Sequence, residues 1–278
     1  MNNRNMYLRY GDYSNELLSE LYDFLPLYAL RTDVEFYVDW ASRVSGDVLE
    51  LGCGTGRVSI PVADSGSHVT VLDYSMPMLQ RFKKNLVAEP NSLADRIDII
   101  RGDMTNFTIS KLFDLVIIPF RPFQHLISID DQINCLKSVR KHLRRDGILI
   151  FDVFNPSPDR LLTPAFGPEV DVPKIEVSDG RSLTRTSQVV KSHWKDKWNE
   201  YEFIYRLENE FGGVEEIRQQ TSMRYFFVEE LELILEMGGF KIDKIFGDFD
   251  SSDFHKDSPE QIYVVSPLND QSDRNSDN

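Results

Sequence analysis

Three glycines at alternate positions, Gly52, Gly54 and Gly56, stand between an apolar strand-like run and an apolar helix-like run in "VLELGCGTGRVSIPVA", residues 48–63. Glycine is costly to order, so three alternating ones point to close backbone approach rather than a simple bend. Glu50 stands two residues before the first glycine, and further acids follow at Asp73 and Asp103, each closing an apolar run. Strand–glycine–helix turns receive nucleotide-like ligands, and a carboxylate at the next strand end can accept hydrogen bonds from ribose hydroxyls. The chemistry in reach is transfer of a hydride, a phosphoryl or a methyl group.

The spacing narrows the ligand. A phosphate-binding loop of the G-x-x-x-x-G-K-[ST] type needs its lysine, and no Gly-Lys dipeptide occurs in the chain. The dinucleotide fingerprint is G-x-G-x-x-G, its third glycine allowing close helix–strand packing. Here the spacing is G-x-G-x-G, and Arg57 occupies the place of that third glycine. Asp73 suits a nicotinamide ribose as well, so it does not discriminate by itself.

The elements that position these residues alternate along residues 47–154. "DVLEL" (47–51), "HVTVLD" (68–73), "RIDIIRGD" (96–103), "FDLVIIPF" (113–120) and "ILIFDVF" (148–154) read as strands. Between them lie helical patterns: the run from Val58, "MPMLQRFKKNL", and a helix carrying Ile133, Leu136, Val139 and Leu143 that Gly147 is expected to end. Apolar strands alternating with helices predict a parallel sheet covered on both faces, a Rossmann-like doubly wound α/β fold. From residue 156 a proline-rich connection leads to period-two patterns, with Tyr201, Phe203, Tyr205 and Leu207 on one face. Turns at "KDK" (195–197) and "FGG" (211–213) make this an inserted antiparallel sheet of three or four strands. "VEELELILEMGGF" resumes a helix stopped at Gly238–Gly239, and "FKIDKIFGDFD" and "EQIYVVSPL" complete a mostly parallel, seven-stranded main sheet. The expected organisation is an N-terminal helical lid (1–45), a core (46–155), the inserted sheet (156–227), the end of the core (228–268) and a disordered tail (269–278).

"LELGCGTG", with Glu50 in the acidic position, resembles the first motif of class I S-adenosylmethionine-dependent methyltransferases, and the order of elements over residues 45–154 matches that family. In arrangement the chain looks like bacterial small-molecule methyltransferases with an antiparallel insert after the fifth strand. The resemblance implies S-adenosyl-L-methionine as cofactor and S-adenosyl-L-homocysteine as product. It implies that Gly52, Cys53, Gly54 and Gly56 admit the amino-acid and ribose portions, and that Asp73 accepts from both ribose hydroxyls. Tyr74, Met76 and Met78 would cover the adenine or ribose, beside the favoured alternative that Met78 is helix core. In "RGDM", Gly102 precedes Asp103, which would accept from the adenine amino group, and the Met104 N–H would meet a ring nitrogen; the alternative is that Asp103 caps the following "MTNF". Tyr22 and Arg31 of the lid would reach the methionine end.

In open α/β sheets the ligand lies beyond the carboxyl ends of the strands, so the methyl acceptor should meet "PFRPFQHL" (119–126). Pro119 would border the cofactor there, and Arg121 could hold an acidic acceptor or form a surface ion pair. His125, with an unperturbed pKa of ~6.5, is the general-base candidate, beside the alternative of a histidine satisfied by backbone. "NPSP" (155–158) resembles the N-P-P-aromatic motif of amino-methyltransferases acting on nucleic acid or protein amides. It follows the fifth strand rather than the fourth and lacks the aromatic residue.

Composition bounds the partners. Forty-five acidic against 31 basic residues give a net charge of −14, the opposite of a surface that gains affinity by neutralising phosphates. The reading is therefore no nucleic acid, no membrane and a small-molecule acceptor, with the inserted sheet as a homodimer surface. No apolar run approaches the ~20 residues of a bilayer span, and the N-terminus lacks a secretory h-region. Cys53 and Cys135 offer neither a disulfide framework nor metal-ligand spacing, so no metal and a cytoplasmic location are expected. Two other functions compete: an NAD-type oxidoreductase, which the glycine spacing disfavours, and a non-catalytic S-adenosylmethionine-binding protein.

Overall fold

Side chains alternate across a strand, so every strand of a sheet covered on both faces must be apolar on both. A computed structural model describes residues 13–157, 167–177 and 180–268 and shows that arrangement. Three helices come first: α1 (Glu16–Tyr22), α2 (Pro26–Ala29) and α3 (Asp33–Ser42). The core then runs β1 (Val48–Leu51), α4 (Ser59–Asp64), β2 (Val69–Asp73), α5 (Met76–Val87), α6 (Asn91–Ala94), β3 (Ile97–Arg101) and β4 (Phe113–Ile118). A 3-10 turn (Pro122–His125), α7 (Ile129–His142) and β5 (Leu143–Phe154) follow. Next come β6 (Glu169–Glu176), β7 (Ser182–His193), β8 (Trp198–Glu208) and β9 (Val214–Arg224), and the chain ends in α8 (Val228–Met237), β10 (Phe240–Phe246) and β11 (Glu260–Pro267).

The main sheet has the order β10-β11-β5-β4-β1-β2-β3. Strands β3, β2, β1, β4 and β5 are parallel neighbours, while β11 pairs antiparallel with both β5 and β10. Leu49 and Leu51 of β1 face one core with Val116, Phe151 and Leu235. Val48 faces the other, with Val71, Ile117, Phe36 and Phe82. Strands β6-β7-β8-β9 form a separate antiparallel sheet. Its inner face packs Leu183, Tyr205 and Leu207 against Leu18, Leu21 and Leu25. The N-terminal helices thus share a core with the inserted sheet as well as covering the main one.

One expected boundary is corrected. Gly147 does not end α7; that helix stops at His142, and β5 begins at Leu143 with extended backbone. Gly147 lies within the strand, where an added Cβ would meet the Leu143 side chain at 2.8 Å and the Asp114 carbonyl at 3.1 Å. Its small size serves strand packing. Tyr7 and Tyr10 of the expected lid, most of the proline-rich connection (158–166) and the tail (269–278) lie outside the described residues. Among the described residues no helix is long and apolar enough to cross a membrane.

Candidate functional site

A cavity of about 600 Å³ opens over the carboxyl ends of β1, β2 and β4, within the range of small-molecule sites. Its floor is the glycine turn. Gly52, Gly54 and Gly56 all have positive φ, at 73°, 55° and 91°, a region that side chains other than glycine rarely adopt. The three serve different ends. A Cβ on Gly52 would lie 2.6 Å from Pro122, so this glycine lets the 3-10 turn approach β1. A Cβ on Gly54 would meet nothing within 4 Å, and the residue borders the cavity. Gly56 does not line the main cavity; a Cβ there would press on the Phe82 ring at 2.8 Å. The third glycine makes room for the Phe82 ring.

Two acids stand at this turn in different surroundings. Glu50 is buried, accepts a short hydrogen bond from the Ser59 hydroxyl, and is pushed by burial up to about 8. Asp73 ends β2 facing the cavity. Its Oδ2 accepts from the Gly54 N–H and its Oδ1 from the Ser75 N–H, both at 2.8 Å. Each carboxylate oxygen accepts more than one hydrogen bond, so both retain capacity toward the cavity. Burial raises the Asp73 pKa, and these backbone donors oppose the rise. An open cradle at Gly54 beside a carboxylate with acceptor capacity left toward the cavity is what a ribose diol requires. The residues present fit S-adenosylmethionine.

Tyr74, Met76, Met78, Gly102 and Met104 wall the side beyond Asp73, and Cys53, Pro119 and Phe120 line the cavity as well. Asp103 does not. Its Oδ1 accepts from the Thr105 N–H at 2.8 Å and the Thr105 hydroxyl at 2.7 Å, capping the turn that follows β3. These bonds occupy Oδ1 of the acid for which an adenine contact was expected.

The opposite end of the cavity carries an ion-pair network. Arg31 meets Asp33, Asp152 and Glu260 at 3.1, 3.2 and 2.9 Å. Arg57 forks onto both Asp33 oxygens, and Arg121 bonds to Glu260. Three guanidinium groups thus face three carboxylates, and a zwitterionic amino-acid moiety meets a balanced field. Arg121 is committed to this network, with its Nε buried and unpartnered; it is neither a surface ion pair nor a free cation for an acidic acceptor. Burial raises the Glu260 pKa against the pull of Arg121 and Arg31.

The N-terminal segment covers this end. Tyr22 stacks on Tyr28 with centroids 4.3 Å apart, and Tyr13, Tyr22, Tyr28 and Arg31 all line the cavity. The inserted sheet supplies the remaining wall through Arg185, Phe203, Thr221 and Met223. Arg185 is buried, forks onto Asp171 and donates to the Tyr28 hydroxyl at 2.7 Å. That bond ties lid to sheet. His125 also lines the cavity; its Nδ1 lies 3.0 Å from the Ser222 carbonyl oxygen, and burial lowers its pKa. Phe120 and Arg121, just before the turn, both have positive φ. Strain of ~1–3 kcal/mol per residue persists where surroundings over-determine it. Here the Phe120 N–H donates to Asp152 at 2.7 Å.

Asp33, Arg57, Asp152, Glu260, Arg185 and Thr221 escaped the sequence reading. Apart from Arg31, two residues from Asp33, their partners are distant in the chain, and no local spacing marks them. Asn155 of "NPSP" has a structural task, donating to the carbonyls of Lys256 and Ser258.

Residues 48–147 match the family model described as a methyltransferase domain. YqeM of Bacillus subtilis is 32% identical over 136 residues, covering 49% of this chain and 53% of YqeM. The chain spans about half the length of the curated relatives it matches. Among solved structures, an S-adenosylmethionine-dependent methyltransferase from Clostridium acetobutylicum superposes with a TM-score of 0.71 at 18% identity, over 91% of this chain and 98% of the other. CalS10 of Micromonospora echinaspora, described as an amino pentose methyltransferase and solved with S-adenosylmethionine bound, gives 0.66 at 19% identity, over 89% and 97%. Both likenesses establish the fold.

Proposed function

We propose that the chain, whose residues 48–147 match the family model of a methyltransferase domain, transfers a methyl group from S-adenosylmethionine to a nitrogen or oxygen of a small molecule. The observation that carries the reading is the Asp73 carboxylate, held by the Gly54 and Ser75 N–H groups beside an open glycine cradle. When bound, S-adenosylmethionine supplies a methyl group on a sulfonium that leaves as a neutral thioether.

The chain's own residues then have four tasks. Asp73 and Gly54 hold the ribose, while Tyr74, Met76, Met78 and Met104 enclose the base. The network of Arg31 and Arg57 with Asp33 receives the zwitterionic end. Tyr13, Tyr28, Phe203 and Met223 exclude water from the acceptor end, where orientation in a closed site provides much of the acceleration. His125 is the base for an acceptor whose proton must leave.

An acidic chain of net charge −14 supports a small molecule over nucleic acid as acceptor. Amino sugars are the first acceptors to test, because CalS10 is described as an amino pentose methyltransferase. Val190 and Trp194, exposed on the inserted sheet, are the surface a homodimer would use, and two free buried cysteines suit a cytoplasmic setting. Incubating the chain with methyl-labelled cofactor and a panel of amino sugars, hydroxylated metabolites and short RNA tests the function. Label in a small molecule supports it, and label in RNA alone overturns the acceptor class.

A further inference from the structure

His125 closes a turn that is held from two sides. Gln124, fully buried, donates from Nε2 to the Arg224 carbonyl of β9 at 2.6 Å and accepts the Phe154 N–H of β5 at 3.0 Å. Arg224 returns a bond to the Ile127 carbonyl at 3.1 Å and pairs with Glu230. Between these clamps, His125 Nδ1 lies 3.0 Å from the Ser222 carbonyl oxygen and 3.3 Å from the Thr221 hydroxyl. A carbonyl oxygen only accepts, so Nδ1 carries the proton, and a neutral ring then has its lone pair on Nε2. The ring borders the cavity, with Tyr13 edge-on at 6.3 Å between centroids.

We infer that strand β9 of the inserted sheet, through the Ser222 carbonyl and with Gln124 as a positioning residue, fixes His125 as the Nδ1–H tautomer, leaving Nε2 as the acceptor of a proton from an N–H or O–H substrate. The inserted sheet is then part of the proton-handling machinery and not only a wall of the acceptor pocket. The chemistry rests on the methyltransferase reading; the tautomer does not. As the substrate's lone pair forms its bond to the methyl carbon, the C–S electron pair stays on sulfur and the substrate's proton passes to Nε2. The imidazolium so formed keeps its Nδ1–H on Ser222 and returns one proton to water after the product leaves. Thr221 lines the same cavity wall, and with Nδ1 donating, its hydroxyl proton is left to meet a substrate lone pair.

The test is long-range proton–nitrogen NMR on the full chain with labelled histidine, five residues in all, the His125 signals being assigned by their loss in His125→Gln. The expected result is a protonated Nδ1 and a bare Nε2 in the wild-type chain. Gln124→Met should replace this single signature by exchange between tautomers, and Thr221→Val should keep it. An Nε2–H tautomer or a tautomer mixture in the wild type overturns the inference without any variant having to fold. A single tautomer persisting in a folded Gln124→Met chain removes Gln124 from its role. Calorimetry with S-adenosylmethionine on the same sample separates the two claims: absent binding defeats the methyltransferase reading and leaves the tautomer result standing.

Discussion

Asp73 Oδ2 accepts the Gly54 backbone N–H at 2.8 Å, which joins the end of β2 to the middle of the glycine turn. The bond fixes the carboxylate beside the backbone that Gly54 leaves open to the cavity. Two weak sequence signals, a glycine and an acid 19 residues apart, become one site through it.

Asp73→Ala removes an anchor of the turn and a double acceptor for ribose. Hydrogen bonds to charged groups contribute ~1.5–3 kcal/mol each, so binding of S-adenosylmethionine should weaken at least about tenfold. Asp73→Asn, which keeps one oxygen, should fall between the two. Equilibrium dialysis with labelled cofactor measures both, with circular dichroism confirming the fold.

Gly54 and Gly56 should separate binding from stability. Gly54→Ala places a side chain at a φ of 55° and into the cradle, a strain of ~1–2 kcal/mol, and should reduce cofactor affinity more than stability. Gly56→Ala drives a methyl group into Phe82. Overpacking costs ~1–3 kcal/mol, and the loss should appear mainly as a lower denaturation midpoint. Equal effects of both variants on affinity would contradict this division.

The contrast shows which parts of the site were legible in the sequence. The alternation of strands and helices, the inserted sheet and the strand-end acid Asp73 follow from periods of two and 3.6 and from a rule about sheet edges, all local properties. Asp103 looked equivalent to Asp73, but Thr105 two residues on occupies its Oδ1, and Asp103 does not border the cavity. Gly147 looked like a helix stop, but buried Leu143 had already turned the chain into strand. The Arg31 network was invisible because its members lie up to 229 residues apart and meet only when β11 inserts beside β5.

Glu50 should make stability fall as pH rises. Its ordinary pKa of 4.5 is raised to about 8 by burial, so the folded chain binds the extra proton between those values. The stabilisation is fully present below 4.5 and is lost as pH climbs toward 8, by up to about 1.4 kcal/mol per pH unit. Glu50→Gln should flatten this slope in urea titrations without cofactor at pH 5, 6, 7 and 8. A wild-type slope unchanged by the substitution would contradict a neutral Glu50.

His125→Ala should slow methyl transfer by about 10²–10⁴-fold, the usual contribution of a positioned base, while cofactor affinity changes less than about twofold because the ring sits at the acceptor end. Burial holds the imidazole below its ordinary 6.5. The acid limb of the rate profile should therefore lie below pH 6.5, with the rate level through neutrality. Single-turnover measurements with the acceptor found in the panel give both numbers.

The most direct measurement is calorimetric titration of the wild-type chain with S-adenosylmethionine and, separately, with NAD. The account predicts saturable binding of one S-adenosylmethionine per chain, weakened in Asp73→Ala, and no measurable heat from NAD. Absence of S-adenosylmethionine binding by the folded chain, or preferential binding of NAD, would contradict it.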